Sequence, residues 1–221
     1  MEPHGDTSSR TQGGIGVRAL GGELSALMRL VGALSWRTSA ADTLHHADSH
    51  PVPVVLVHGL FGDPTNFVAI RRELSRHGIR RFSCFGYPPR VDYQRLAGRF
   101  GEHVAAVARE TGAMQVDVVA HSLGGLVARY FVQTGGGFVV RRLVTLGTPY
   151  LAATNPSQEV SLFAEHDILV PPPRDGARRR AHVIPDCGHL GLLTDARAVA
   201  AIVRYLNRPT AVARRIGTYA A

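Results

Sequence analysis

Apolar and polar residues change their period several times along the chain, and each change marks an expected element. Leu24, Leu27, Met28, Val31 and Leu34 recur at three- and four-residue steps, which predicts one amphipathic helix. Residues 1–22 before it are polar and glycine-rich, a composition expected to stay disordered. The polar stretch "SAADTLHHADSHP" (39–51) reads as a linker. From Pro51 the pattern becomes regular. "VPVVLVHG" (52–59) is an almost continuous apolar run, as expected of a strand buried on both faces. "PTNFVAIRRELSRHG" (64–78) has proline in its first turn and glycine at its end, the signals that open and close a helix. Further strands are predicted at 80–87, 115–121, 139–147, 159–165 and 180–186, and further helices at 91–112, 123–133 and 195–208. Glycine or proline stands at nearly every joint. Strands alternating with helices predict βαβ units, and hence a mostly parallel sheet between layers of helices. The expected division is an N-terminal extension (1–50), one α/β domain (51–210) and a short tail (211–221).

In such a sheet, functional groups gather beyond the carboxyl ends of the strands. Four segments there carry suitable chemistry: "VHGLFG" (57–62), "AHSLGG" (120–125), "AEHDILVPP" (164–172) and "CGHLGLL" (187–193). Ser122 stands where a β-branched run turns sharply into a helix. That position would expose its hydroxyl at the sheet edge under backbone strain. The usual elbow is Gly-x-Ser-x-Gly, and Ala120 holds the place of its first glycine. A methyl group fits there if the local φ stays negative. Gly124 lies under the following helix, where close approach matters more.

Serine, acid and histidine follow one another in the order of the α/β-hydrolase fold. The chain resembles that superfamily, and within it is similar to small bacterial lipases and esterases over roughly residues 52–207. The motifs that carry the resemblance are the Ala-His-Ser-x-Gly-Gly elbow (120–125), a His-Gly-apolar loop (58–60) and Gly-His-apolar-Gly-Leu-Leu (188–193). It implies an α/β-hydrolase fold and a serine nucleophile; about six strands and a minimal or absent lid are expected from the chain's own pattern. Ser122 would be that nucleophile, since a free hydroxyl is weak and needs a base in hydrogen-bond reach. His189 would be the base and Asp167 the acid that orients it, with Glu165 and Asp186 as rivals for the last role. Backbone N–H groups of Leu60 and Leu123 would form the oxyanion hole, with Phe61 as the alternative to Leu60. Phe61, His121 and Tyr150 are candidate pocket residues, although His121 also reads as a packed strand-end side chain. His58 is expected to hold its loop.

Two features depart from the family. Only residues 148–166 separate Gly147 from Asp167, where larger lipases insert lid helices and often a calcium site. The frequent "GTPHxG" continuation is replaced by Gly147-Thr148-Pro149-Tyr150-Leu151. A site without a lid would be open to water and would favour short to medium acyl chains.

Composition alters this picture little. A chain of 221 residues with 45% hydrophobic and 19% charged residues fits one globular domain. The formal charge of +8 comes entirely from arginine, since the sequence contains no lysine. Its arginines are scattered pairs and one triplet without interleaved aromatics, so no nucleic-acid partner is expected. An ester or lipid substrate is expected instead, with at most peripheral contact to a lipid surface. Cys84 and Cys187 are expected as free thiols. His45, His46 and His50 read as a polar tract rather than a metal site, and no cofactor or metal is expected. No export signal is read, so the expectation is cytoplasmic; a start at Met28 would make "MRLVGALSW" a weak secretion signal. The same machinery could instead serve acyl transfer, thioester cleavage or amide hydrolysis, and a non-catalytic binding protein on a degenerate fold is the other alternative.

Overall fold

The computed structural model describes residues 41–88, 92–150, 156–173 and 181–208. The expected helix at 24–34 and the tail at 211–221 lie outside them. Six strands form one sheet: β1 (Val54–Val57), β2 (Phe82–Phe85), β3 (Val116–His121), β4 (Val140–Leu146), β5 (Glu159–Ala164) and β6 (Ala181–Ile184). Their spatial order is β2-β1-β3-β4-β5-β6, and every pairing is parallel. Four helices connect them: α1 (Val68–Arg76), α2 (Tyr93–Thr111), α3 (Leu123–Gln133) and α4 (Ala196–Leu206). Each predicted strand and each predicted helix from residue 51 onward is present.

Strand alternation explains why the core strands are apolar without interruption. Val54 and Leu56 face a cluster with Ile70 and Leu74 of α1 and with Val199, Ile202 and Leu206 of α4. Val55 and Val57 point the other way, to Leu96, Phe100 and Val104 of α2 and Val127 of α3. Successive side chains of a strand leave opposite faces, so a strand covered on both sides needs apolar residues at every position. The helix starts are set locally. Asp63 caps the turn Pro64–Phe67 reciprocally with Asn66, while Asp92 and Asp195 cap α2 and α4 by accepting from backbone N–H groups. Gly112 closes α2 at φ 67°, a left-handed position that suits glycine.

The strand order reverses at β1, whose neighbours are β2 on one side and β3 on the other. The region beyond the carboxyl ends of β1 and β3 is the place where open parallel sheets bind ligands. The loops carrying Leu60 and Ser122 leave the sheet there.

The stretch 42–50, read from sequence as linker, is docked instead. Asp42 accepts from the Ser83 hydroxyl (2.7 Å) and the Cys84 N–H (2.9 Å), and Thr43 N–H donates to the Phe82 carbonyl (2.8 Å). Leu44 is buried in the core cluster of α2 and α3. His50 is buried against Asp117 (2.8 Å), which also accepts from Arg141 (2.9 Å), beneath the sheet at the start of β3. Short apolar content hid this docking, because its anchors are polar groups that pair with an edge strand. Neither Cys84 nor Cys187 is in a disulfide, and burial pushes the Cys84 thiol up to about 11. Among the described residues no helix is long and apolar enough to cross a membrane.

Docking of 42–50 has a measurable consequence. Leu44→Ala should lower stability by about 2–3 kcal/mol in urea unfolding, as for other buried leucines. A solvated linker residue would change it by no more than about 0.5 kcal/mol.

Candidate active site

Ser122 sits between β3 and α3 at φ 53° and ψ −122°, a conformation that L residues rarely adopt. Its neighbours fix it there. Its N–H donates to the Leu146 carbonyl (2.8 Å), and its carbonyl accepts from Gly125 N–H (3.0 Å) and from the Thr148 hydroxyl (3.1 Å). The elbow is possible because Gly124 and Gly125, two and three residues after the serine, have no side chain. A Cβ on Gly124 would lie 2.5 Å from the Val57 carbonyl oxygen, and one on Gly125 would lie 2.7 Å from Thr148 Cγ2. Ala120 is an ordinary strand residue, fully buried and in register with Val57 and Thr145. Crowding therefore falls after the serine rather than before it, and alanine at 120 leaves the elbow intact.

The loop after β1 approaches from the other side. Gly59 to Gly62 form a turn closed by Gly62 N–H on the Gly59 carbonyl (3.1 Å), with Leu60 and Phe61 at its centre. A Cβ on Gly59 would come 3.0 Å from Ser122 Cβ and 2.9 Å from His121 Nδ1, so only glycine lets the loop lie this close. Phe61 holds φ 57° and is 83% exposed; Leu60 is 47% exposed. Leu123 is the first residue of α3, so its N–H has no partner inside the helix. His58 anchors this loop as expected. Its Nδ1 donates to the Gly59 carbonyl (2.8 Å), its ring stacks on Tyr87 at 4.4 Å, and Tyr87 Oη donates to the His58 carbonyl (2.5 Å). Burial lowers its pKa, against smaller opposing effects of that carbonyl and Asp63, and the neutral ring suits a support.

Asp167 follows β5, and both its carboxylate oxygens are engaged. Oδ1 accepts from the N–H groups of Leu169 (2.9 Å) and Val170 (2.7 Å), while Oδ2 accepts from His189 Nδ1 at 2.7 Å. Both side chains are buried. Because a carboxylate only accepts, Nδ1 carries the proton and Nε2 is left with its lone pair. Of the three candidate acids, the structure brings only Asp167 to the imidazole. Glu165 is exposed just past the strand and accepts from Asp186 N–H (3.0 Å), and Asp186 is exposed as well. Gly147, at φ 53°, makes the meeting possible: a Cβ there would lie 2.9 Å from His189 Nδ1 and 3.2 Å from Asp167 Oδ2. Sequence reading passed over this role, although a glycine ending a core strand was the available signal.

His121 joins the two halves. Its ring centroid is 4.7 Å from that of His189, and its Nε2 donates to the His189 carbonyl (3.3 Å). The residue is 5% exposed, so of its two readings the packed strand-end side chain describes its position, and it does not line an open pocket. Burial first, and then the neighbouring His189, push its pKa down to about 3. Tyr150 lies on the wall, edge-on to Phe163 (5.3 Å) and under the Arg129 guanidinium. Arg129 was not singled out from sequence. It pairs with buried Glu159 (2.7 Å) and donates to the Pro149 carbonyl (2.6 Å), which holds that wall to α3 and β5.

Among the described residues, Glu165, His166 and Asp186 are the group whose ligand atoms lie within 4.8 Å of one another, and they lie largely open to solvent. Of the three N-terminal histidines considered for a metal, His45 pairs with Glu110 at the surface (2.9 Å) and His50 is buried on Asp117.

A six-stranded parallel sheet with a strained serine after its third strand, an acid after its fifth and a histidine after its sixth has the α/β-hydrolase fold. The chain resembles lipases and esterases: residues 51–155 match the family model Lipase (class 2). Over 136 residues it is 31% identical to a triacylglycerol lipase of Burkholderia plantarii, a match covering 57% of this chain and 38% of that protein. A triacylglycerol lipase of Pseudarthrobacter phenanthrenivorans is 32% identical over 106 residues, or 44% of this chain and 33% of that protein. The matches thus span well under half the length of these curated relatives. At the level of fold, a CIB-like hydrolase from Thermoplasma acidophilum superposes with a TM-score of 0.57 at 14% identity, covering 73% of this chain and 88% of that one.

The elbow geometry predicts opposite outcomes for two neighbouring substitutions. Gly124→Ala should cost about 3 kcal/mol or more in unfolding free energy, since the methyl group meets backbone. Ala120→Gly should cost about 1 kcal/mol or less.

Proposed function

We propose that the protein is a serine hydrolase that cleaves carboxylic esters. The observation that carries this reading is the buried Asp167–His189 hydrogen bond beside the Ser122 elbow, which leaves His189 Nε2 as the basic nitrogen. The Ser122 hydroxyl attacks the acyl carbon and passes its proton to His189 Nε2. N–H groups of Leu60 and Leu123 receive the tetrahedral oxyanion; a donor of this kind contributes about 3 kcal/mol to transition-state stabilisation. The intermediate collapses, the carbon–oxygen bond to the alcohol breaks, and the alcohol leaves with the proton from His189. Water then attacks the acyl-serine and gives its proton to His189. The carboxylic acid departs and Ser122 regains its hydrogen.

Resemblance to lipases supports an ester or lipid substrate, and so does the rim. Leu60 and Phe61 from one loop and Ile168 and Leu169 from the other are large, apolar and exposed. An acyl chain would be received between them. The short connection of residues 148–166, six of which form β5, supports short to medium acyl chains.

Ser122→Ala should abolish hydrolysis of p-nitrophenyl butyrate, with a loss of about 10⁴-fold or more, while circular dichroism stays unchanged. Retained turnover would overturn the assignment. Asp167→Asn should lower kcat by about 10⁴-fold, because an amide can donate to Nδ1 and so favours the wrong tautomer. Across p-nitrophenyl esters of graded length, kcat/KM should peak at short to medium chains; equal rates on long chains would remove that preference. Covalent labelling by a fluorophosphonate tests the non-catalytic alternative, and an alcohol or thioester that outcompetes water and oxygen esters would reassign the acyl chemistry.

A further inference from the structure

We infer that His121 is a positioning residue that holds His189 in place through the bond from its ring N–H to the His189 main-chain carbonyl. The inference rests on the ester-hydrolase reading for its functional meaning, though not for its geometry. His121 closes β3 opposite Leu146, one residue before Ser122, and therefore moves with the elbow. Its Nε2–H donates to the His189 carbonyl at 3.3 Å, and the ring lies against the His189 imidazole at 4.7 Å with a 50° tilt. On its other edge, Nδ1 lies 2.9 Å from where a Gly59 Cβ would be. One side chain therefore touches the segment before the serine, the loop offering Leu60 N–H, and the residue offering the base. Asp167 fixes the far nitrogen of His189, and His166 N–H holds the Cys187 carbonyl (2.9 Å), so both of these bonds tie the loop of residues 187–189 to the end of β5 and neither ties it to the elbow. The carbonyl bond ties that loop to β3. Burial keeps His121 neutral, so it adds no second positive charge beside His189 when that ring takes a proton.

Two substitutions separate this role from simple space filling. His121→Phe keeps an aromatic ring and loses the donor. His121→Gln loses the ring but keeps an N–H group as many bonds from Cα as His Nε2. Positioning predicts that Phe lowers kcat on p-nitrophenyl butyrate about 100-fold with KM changed less than about twofold, and that Gln restores most of the loss. A packing role predicts the reverse order, with Phe near wild type and Gln impaired, and that result would overturn the inference.

A second measurement needs no turnover, and its first part needs no variant. In proton NMR of the full wild-type chain, the Nε2–H of His121 should be protected from exchange and close to residue 189. The Nδ1–H signal of His189 should persist in the Gln protein and be lost in the Phe protein. A rapidly exchanging His121 Nε2–H in the wild type would overturn the inference even if both variants failed to fold. Absence of ester turnover and of fluorophosphonate labelling in the wild type would instead sink the hydrolase reading, and these NMR signals would still decide the placement of His121.

Discussion

The start of α3 lies so close to the end of β1 that the Cα of Gly124 faces the carbonyl oxygens of Val57 and His58 with no room for a methyl group. That close approach forces the chain to leave β3 abruptly, and Ser122 absorbs the turn at φ 53°. A residue held in this region costs on the order of 1–3 kcal/mol and survives only where its surroundings over-determine it. Here Leu146, Gly125 and Thr148 all bond to its backbone. Packing energy from two apolar faces thus supports a strained point at the sheet's carboxyl edge. The same approach brings the β1 loop alongside the serine, since Gly59 has no Cβ to keep it away from Ser122. Fold and site share one constraint.

Residue types alone would not have located this site. A second serine, histidine and aspartate meet on β2, where Ser83 Oγ lies 2.7 Å from Asp42 and 3.0 Å from His103 Nε2. The Ser83 proton points to the carboxylate, which can only accept. The His103 contact must therefore run from Nε2–H to the serine oxygen, so His103 is a donor there and not a base. Ser83 is also fully buried. At Ser122 the order differs: the carboxylate accepts a hydrogen bond from the histidine, and the serine stands apart at the turn. Who donates to whom, more than which residues meet, separates structure from chemistry.

Legibility in the sequence followed the same line. Apolar runs and glycine stops located the strands and helices of the domain, because burial on both faces writes a pattern that needs no partner to read. Gly124 was legible as a close approach because the elbow demands it. Asp167 was separable from Glu165 by its distance past the strand, and from Asp186 because that residue stands too close in sequence to His189 to reach behind it. The stretch 42–50 was not legible: Asp42 and Asp48 accept from backbone N–H groups in and just before an edge strand, Thr43 N–H donates to the Phe82 carbonyl, and such bonds leave no periodicity. Gly147, Thr148 and Arg129 were missed for a related reason. Each acts on residues distant in sequence, and only the folded arrangement shows a Cβ clash or a buried guanidinium on the Pro149 carbonyl.

Three histidines close to the elbow divide the work by their surroundings. His58 and His121 are buried, their pKa values are lowered mainly by that burial, and each donates to a main-chain carbonyl. A ring used in this way is a rigid, uncharged strut between loops. His189 differs because its donor nitrogen meets a carboxylate, which can stabilise a positive charge where a carbonyl offers far less. On the proposed reading, proton transfer from Ser122 creates charge in the one ring with an anionic partner, while the neighbouring rings stay neutral. The His121 strut then matters because an imidazole held by one bond can turn about it, and a base that turns loses its line to the hydroxyl; His58 instead steadies the loop of Leu60.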